Sequence, residues 1–167
     1  MKWKGKLAIL LAVILLVGGI VGMVYMLRAR TQSNEYQFQI DAILAACTVA
    51  NGGETLTDPD RAVIAEYDGK KAVIAPGNYQ ALSSYLRKDA AMPFFARIDR
   101  GAALKITFCD EAVLYAVPAD ASMDKVLVRL ETRGQVFTMH IRGGNLWPSL
   151  TACCLEGTYH DRNLPLD

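Results

Sequence analysis

RAVIAEY-DG-KKAVIA, residues 61–75, is the stretch whose reading decides the fold. Two runs rich in β-branched and apolar residues flank Asp68-Gly69, the dipeptide favoured in a two-residue type I′ turn, so residues 61–67 and 70–75 are expected to form a β-hairpin. The same grammar recurs downstream. Residues 104–109 and 112–117 face each other across Asp110-Glu111 and end at Pro118, which cannot continue a central strand. Lys125–Thr132 alternates, with Val126, Val128 and Leu130 on one face against Leu127 and Arg129 on the other, and turns at Arg133-Gly134 into residues 135–141. Strands joined this tightly are antiparallel, since a parallel pair needs a long crossover.

Helical stripes surround these hairpins. Tyr36, Ile40, Ile43, Leu44 and Cys47 fall on one helical face before the stop at Asn51-Gly52-Gly53. Residues 79–88 place Tyr79, Leu82 and Leu86 on one face, and residues 146–155 read as a short helix with Pro148 at its first position. Phe94, Phe95 and Ile98, in the loop between, are expected to tuck into the core. The expected class is α+β: an N-terminal transmembrane helix, then an antiparallel sheet of hairpins with two or three helices on it. The expected division is an anchor, residues 1–30, and one domain, residues 31–167.

The anchor rests on residues 7–27, which are 21 consecutive uncharged residues, thirteen of them Leu, Ile or Val. As a helix they span about 31 Å, the thickness of a bilayer's hydrocarbon core. A cleavable signal peptide has a shorter apolar run and small residues at the cut, which Tyr25-Met26-Leu27-Arg28 does not supply. Lys2, Lys4 and Lys6 precede the span and Arg28 and Arg30 follow it, favouring a cytoplasmic N-terminus and an extracytoplasmic C-terminal part. Gly18 and Gly22 form a G-x-x-x-G notch that suits close helix packing, hence a homodimer through the membrane helix.

The whole-chain figures, 52% hydrophobic with net charge +1, average over two unlike parts. Residues 1–30 carry five basic residues and no acid, leaving 13 basic and 17 acidic, or about −4, for the remainder. That balance speaks against a nucleic-acid partner. Four cysteines, Cys47, Cys109, Cys153 and Cys154, lie in the part expected outside, where disulfides persist, and allow three connectivities. One disulfide joining Cys153 or Cys154 to Cys47 or Cys109 is one reading. Cys47 and Cys109 as small apolar core residues is the other.

Chemistry-bearing motifs are sparse. Cys153, Cys154, His160 and Asp161 match no zinc spacing, so no metal and no cofactor is expected. A thiol enzyme would need His140 or His160 as base, and His140 is expected on the opposite strand face from Phe137, Met139 and Ile141. Ser84-Tyr85-Leu86-Arg87 has the outline of an S-x-x-K motif, but arginine cannot accept the proton. His140-Ile141-Arg142-Gly143-Gly144-Asn145-Leu146-Trp147 is the most distinctive stretch, and Arg142 and Trp147 are its candidate partner-binding residues.

An apolar helix leading through a stalk into a sheet resembles the layout of type IV pilins, whose mature helix carries a glutamate five residues past a glycine cleavage point. Here Gly5 is followed by Lys6, and the fifth residue after it is Leu10. The leading expectation is therefore a bacterial single-pass envelope protein whose exported part binds another envelope protein or an envelope ligand. A pilin-like structural subunit and a Cys/His-dependent envelope enzyme are the alternatives.

Overall fold

A computed structural model describes residues 2–51, 61–93, 96–109 and 112–156. With no proline or glycine between Leu27 and Ala50, the apolar segment and the stalk form one helix, α1 (Lys2–Ala50), about 74 Å long. From Leu7 to Leu27 its large apolar side chains are exposed on every side, Leu15 by 74% and Met26 by 75%. Its length and composition are those of a membrane-crossing helix, with mean hydropathy 3.0 and none of that segment buried. One end of the same helix is core: Tyr36, Ile40 and Cys47 are fully buried.

Six strands form one antiparallel sheet in the order β2-β1-β3-β4-β5-β6: β1 (Ile64–Tyr67), β2 (Lys70–Val73), β3 (Leu104–Thr107), β4 (Val113–Pro118), β5 (Lys125–Thr132) and β6 (Gln135–Arg142). Positive φ at Asp68 (50°) and Gly69 (72°) fits the type I′ turn expected from that dipeptide, and Arg133 (43°) and Gly134 (78°) repeat it. β1 and β2 are shorter than the sequence suggests. Pairing nonetheless continues one step, through the Ile74 N–H to the Val63 carbonyl at 2.9 Å. The Asp110-Glu111 turn lies outside the described residues, as do residues 52–60 and the tail from residue 157.

Register explains the core. Ala72, Ala65, Ile106, Leu114, Leu130 and Phe137 line up across all six strands, and Leu104, Ala116, Val128 and Met139 form the next row. All are buried, under a layer made by α1, α2 (Tyr79–Arg87) and α3 (Leu146–Leu155). Fully burying each large side chain contributes about 1.5–3 kcal/mol. α2 runs antiparallel to the stalk. Asn51 meets the Tyr79 hydroxyl at 3.4 Å, Asp41 accepts from Ser83 at 3.1 Å, and Tyr36 donates to the Leu86 carbonyl at 3.0 Å.

Two details differ from expectation. α3 begins at Leu146, so Pro148 is its third residue, still in the first turn where a missing N–H costs nothing. Ile98 is only half-buried, because its loop leaves the helical side of the sheet. Ala91 bridges His140 on the free edge of β6, and Arg100 then stacks on Tyr115 at 5.0 Å and pairs with Glu131 on the opposite face. Phe94 and Phe95 lie outside the described residues.

Candidate functional site

A cleft of about 830 Å³ opens beside the end of β6 and is lined by Gln37, Asp89, Met92, Lys125, His140 and Arg142 among others. Strand register assembles it. Lys125 is paired with Arg142, and Leu127 with His140, so the side chains of all four emerge on the sheet face away from the helices. The segment after α2 closes the other wall. Ala91 exchanges both backbone hydrogen bonds with His140, at 2.7 and 2.8 Å, and the Arg142 N–H reaches the Lys88 carbonyl at 3.4 Å.

A second lobe of about 500 Å³ shares Asp89, Lys125 and Arg142 and extends to Asp120, Asp124, Gly143 and Gly144. Its turn is tightly held. Asp124 accepts from the Asn145 N–H through Oδ1 at 2.6 Å and from the Gly143 N–H through its carbonyl at 2.9 Å. Gly143 lies under the flexible stem of Lys88: a Cβ there would meet its Cδ at 2.9 Å and displace it.

Electrostatics set the cleft's character. Partial burial, then the charges of Lys125 and Arg142, hold the His140 imidazole below its ordinary pKa. Among the described residues neither Lys125 nor Arg142 has an ion-pair partner, whereas Arg87 is paired with Asp41 at 3.0 Å, Lys105 with Glu66 at 3.1 Å and Arg129 with Glu131 at 2.7 Å. In the adjoining lobe, Oδ1 of Asp120 accepts from Ser122 at 2.9 Å. Among the described residues Asp89 is the single carboxylate lining the main lobe.

Height along α1 places the cleft. The Ser33 hydroxyl ties the stalk to the segment after α2, donating to the Ala90 carbonyl. Ser33 is six residues past Leu27, or about 9 Å beyond the end of the apolar segment. The opposite end of the stalk holds the disulfide Cys47–Cys109, with Cα atoms 5.6 Å apart.

Of the residues singled out from sequence, Arg142 lies in the cleft, exposed. Trp147 does not. It is 6% exposed and packs edge-on against Tyr67 at 5.5 Å, because its position one residue into α3 aims it at the sheet. The cysteine pairing is likewise corrected: Cys47 bonds to Cys109, while Cys153 and Cys154 are free thiols on α3. α1 passes the β3–β4 turn, which brings Cys109 to Cys47. α3 packs instead against α2 and β2. Burial pushes the thiols of Cys153 and Cys154 above their ordinary range, disfavouring thiolate. The Ser84 hydroxyl donates back to the Ala81 carbonyl at 2.7 Å. Gly18 and Gly22 face open space, and His160 and Asp161 lie outside the described residues. Among the described residues no His, Cys, Asp and Glu side chains cluster as metal ligands.

Lys125, Lys88 and Asp89 escaped the sequence reading. A signal for Lys125 existed: a two-residue turn at Arg133-Gly134 dictates the register that sets Lys125 opposite Arg142. Comparison of the chain with protein-family models, with curated proteins and with solved structures gives no match.

Proposed function

We propose that the chain is a membrane-anchored interaction module of the cell envelope, its N-terminus cytoplasmic and its sheet-bearing part extracytoplasmic, capturing an envelope ligand or protein at the Arg142 cleft. One observation carries the reading: a cleft lined by Lys125 and Arg142, neither ion-paired among the described residues, has Gln37 of the stalk in its wall, on the same continuous helix as the apolar segment. Anchoring on a bilayer restricts what the cleft meets to membrane-proximal partners. The test is complementation of a deletion strain with Arg142→Ala, alongside cross-linking capture. The variant is expected to fold as the parent, because Arg142 is exposed, and to weaken capture at least tenfold. Undiminished capture would remove the cleft from the reading.

A second reading, a pilin-like structural subunit, is favoured by the outer side of the stalk. Phe38 and Val49 are 69% and 82% exposed there, eleven residues apart, and the exposed Ala42, Ala45 and Ala46 lie between them. Such a stripe suits helix packing against neighbours.

A further inference from the structure

We infer that the cleft between Lys125 and Arg142 binds a phosphate-bearing anion, with the headgroup phosphate of the surrounding membrane lipid as the source that its position favours. The inference rests on the proposed anchoring and adds the ligand's chemistry. Lys125 from β5 and Arg142 from β6 are cross-strand partners, so their charged ends project from adjacent positions on one face. Neither has an ion pair among the described residues, in a structure where Arg87, Lys105 and Arg129 each find a carboxylate. Two cations at the wall of one cleft, neither held in an ion pair among the described residues, are a donor set for an oxyanion, the guanidinium supplying a planar fork and the ammonium a point charge.

The groups facing the cleft sharpen this. His140 lies two residues from Arg142 on the same face of β6, Asp89 comes from the segment after α2, and the neutral Gln37 comes from α1. With His140 neutral, the described lining of the main lobe carries two positive charges and one negative, and the adjoining lobe adds the carboxylates of Asp120 and Asp124, which accept from the Ser122 hydroxyl and the Asn145 N–H. Lys88 lines neither lobe; its stem lies against Gly143 and its ammonium sits over the Tyr85 ring at 5.6 Å. The headgroup layer is about 5–8 Å deep on each side. Ser33, which ties the cleft wall to α1, stands about 9 Å past the apolar segment, and Gln37 in the cleft itself about 15 Å past it. Arg28 and Arg30, lower on the same helix, add positive charge at the level of the headgroups.

His140 provides the readout, because burial first and then the charges of Lys125 and Arg142 disfavour its imidazolium, and an anion seated on the two cations offsets the second contribution. Full-length protein in nanodiscs, with histidine ring carbons labelled, is titrated by NMR in zwitterionic phosphatidylcholine and in discs with about a third phosphatidylglycerol. The expected result is a roughly tenfold higher imidazolium-to-imidazole ratio for His140 at a given pH in the anionic discs. Lys125→Gln with Arg142→Gln is expected to abolish that difference. A second arm adds inorganic phosphate to the zwitterionic discs. A response there, with none to anionic lipid, supports the phosphate site and assigns it to a soluble phosphate. No response in either arm overturns the inference. So does an anionic-lipid response that survives the double variant, since bulk surface potential then suffices. Carbonate extraction of the same preparation reports separately on anchoring, so a failed anchor and a failed anion site give different results.

Discussion

Trp147 shows how one side chain's burial redirects a prediction. Its indole fills the junction of α3 and the sheet, so Trp147→Ala is expected to cost about 3–5 kcal/mol, read as a shift of the denaturation midpoint, while Arg142→Ala leaves that midpoint nearly unchanged. His140 gives a pH dependence with a definite sign. Its folded pKa lies below the unfolded value near 6.5, so the unfolded chain binds the extra proton first. The stability involved is fully present above pH 6.5 and is lost as pH falls below it toward the folded pKa. Denaturant midpoints taken from pH 8 down to pH 5 should decline less for His140→Gln than for the parent. Equal declines would show that other groups set the acid limb.

Elements add what residues cannot. The disulfide ties the distal end of α1 to the β3–β4 turn across 62 residues, and in the chain-entropy account a loop of that size contributes about 4 kcal/mol. Cys109→Ser is expected to lose about 2–4 kcal/mol, measured by urea unfolding. Cys153→Ala, at a half-buried free thiol, should lose far less. Along α1, eighteen residues make five full turns, so Gly18 lies beneath Tyr36 and Gly22 beneath Ile40. The proposed dimer notch therefore faces the side on which the sheet packs, and a partner helix seated there must diverge above the membrane, as right-handed G-x-x-x-G pairs crossing at about −40° do. Replacing Gly18 and Gly22 by Ile is expected to abolish cross-linking between copies in membranes. Unaltered cross-linking would shift the contact to the opposite side, where Phe38 and Val49 lie.

For the whole molecule the orientation is the decisive proposal. Protease added to spheroplasts is expected to digest residues beyond the stalk while the N-terminus stays protected, because three lysines precede the span and two arginines follow it. Protection of the entire chain would place the sheet on the cytoplasmic side. Full-length protein should also remain in the membrane pellet through alkaline carbonate with its N-terminus intact. A mature form beginning near residue 28 would identify the apolar segment as a signal peptide.

The antiparallel sheet was legible in the sequence because its information is local: Asp68-Gly69 and Arg133-Gly134 specify turns, and period-two alternation then assigns each residue to a face. The apolar helix was legible because 21 uncharged residues need no tertiary context to be read. Register within the β5–β6 hairpin, and with it the Lys125–Arg142 pair, follows from the same local rule. What only the tertiary structure decided depends on elements distant in sequence meeting in space. Cys47 and Cys109 pair because the stalk passes the β3–β4 turn, and Trp147 turns inward because α3 lies on the sheet beside Tyr67. The cleft exists because the segment after α2 crosses to the edge of β6, joining Ala91 to His140 across 49 positions that no local pattern connects.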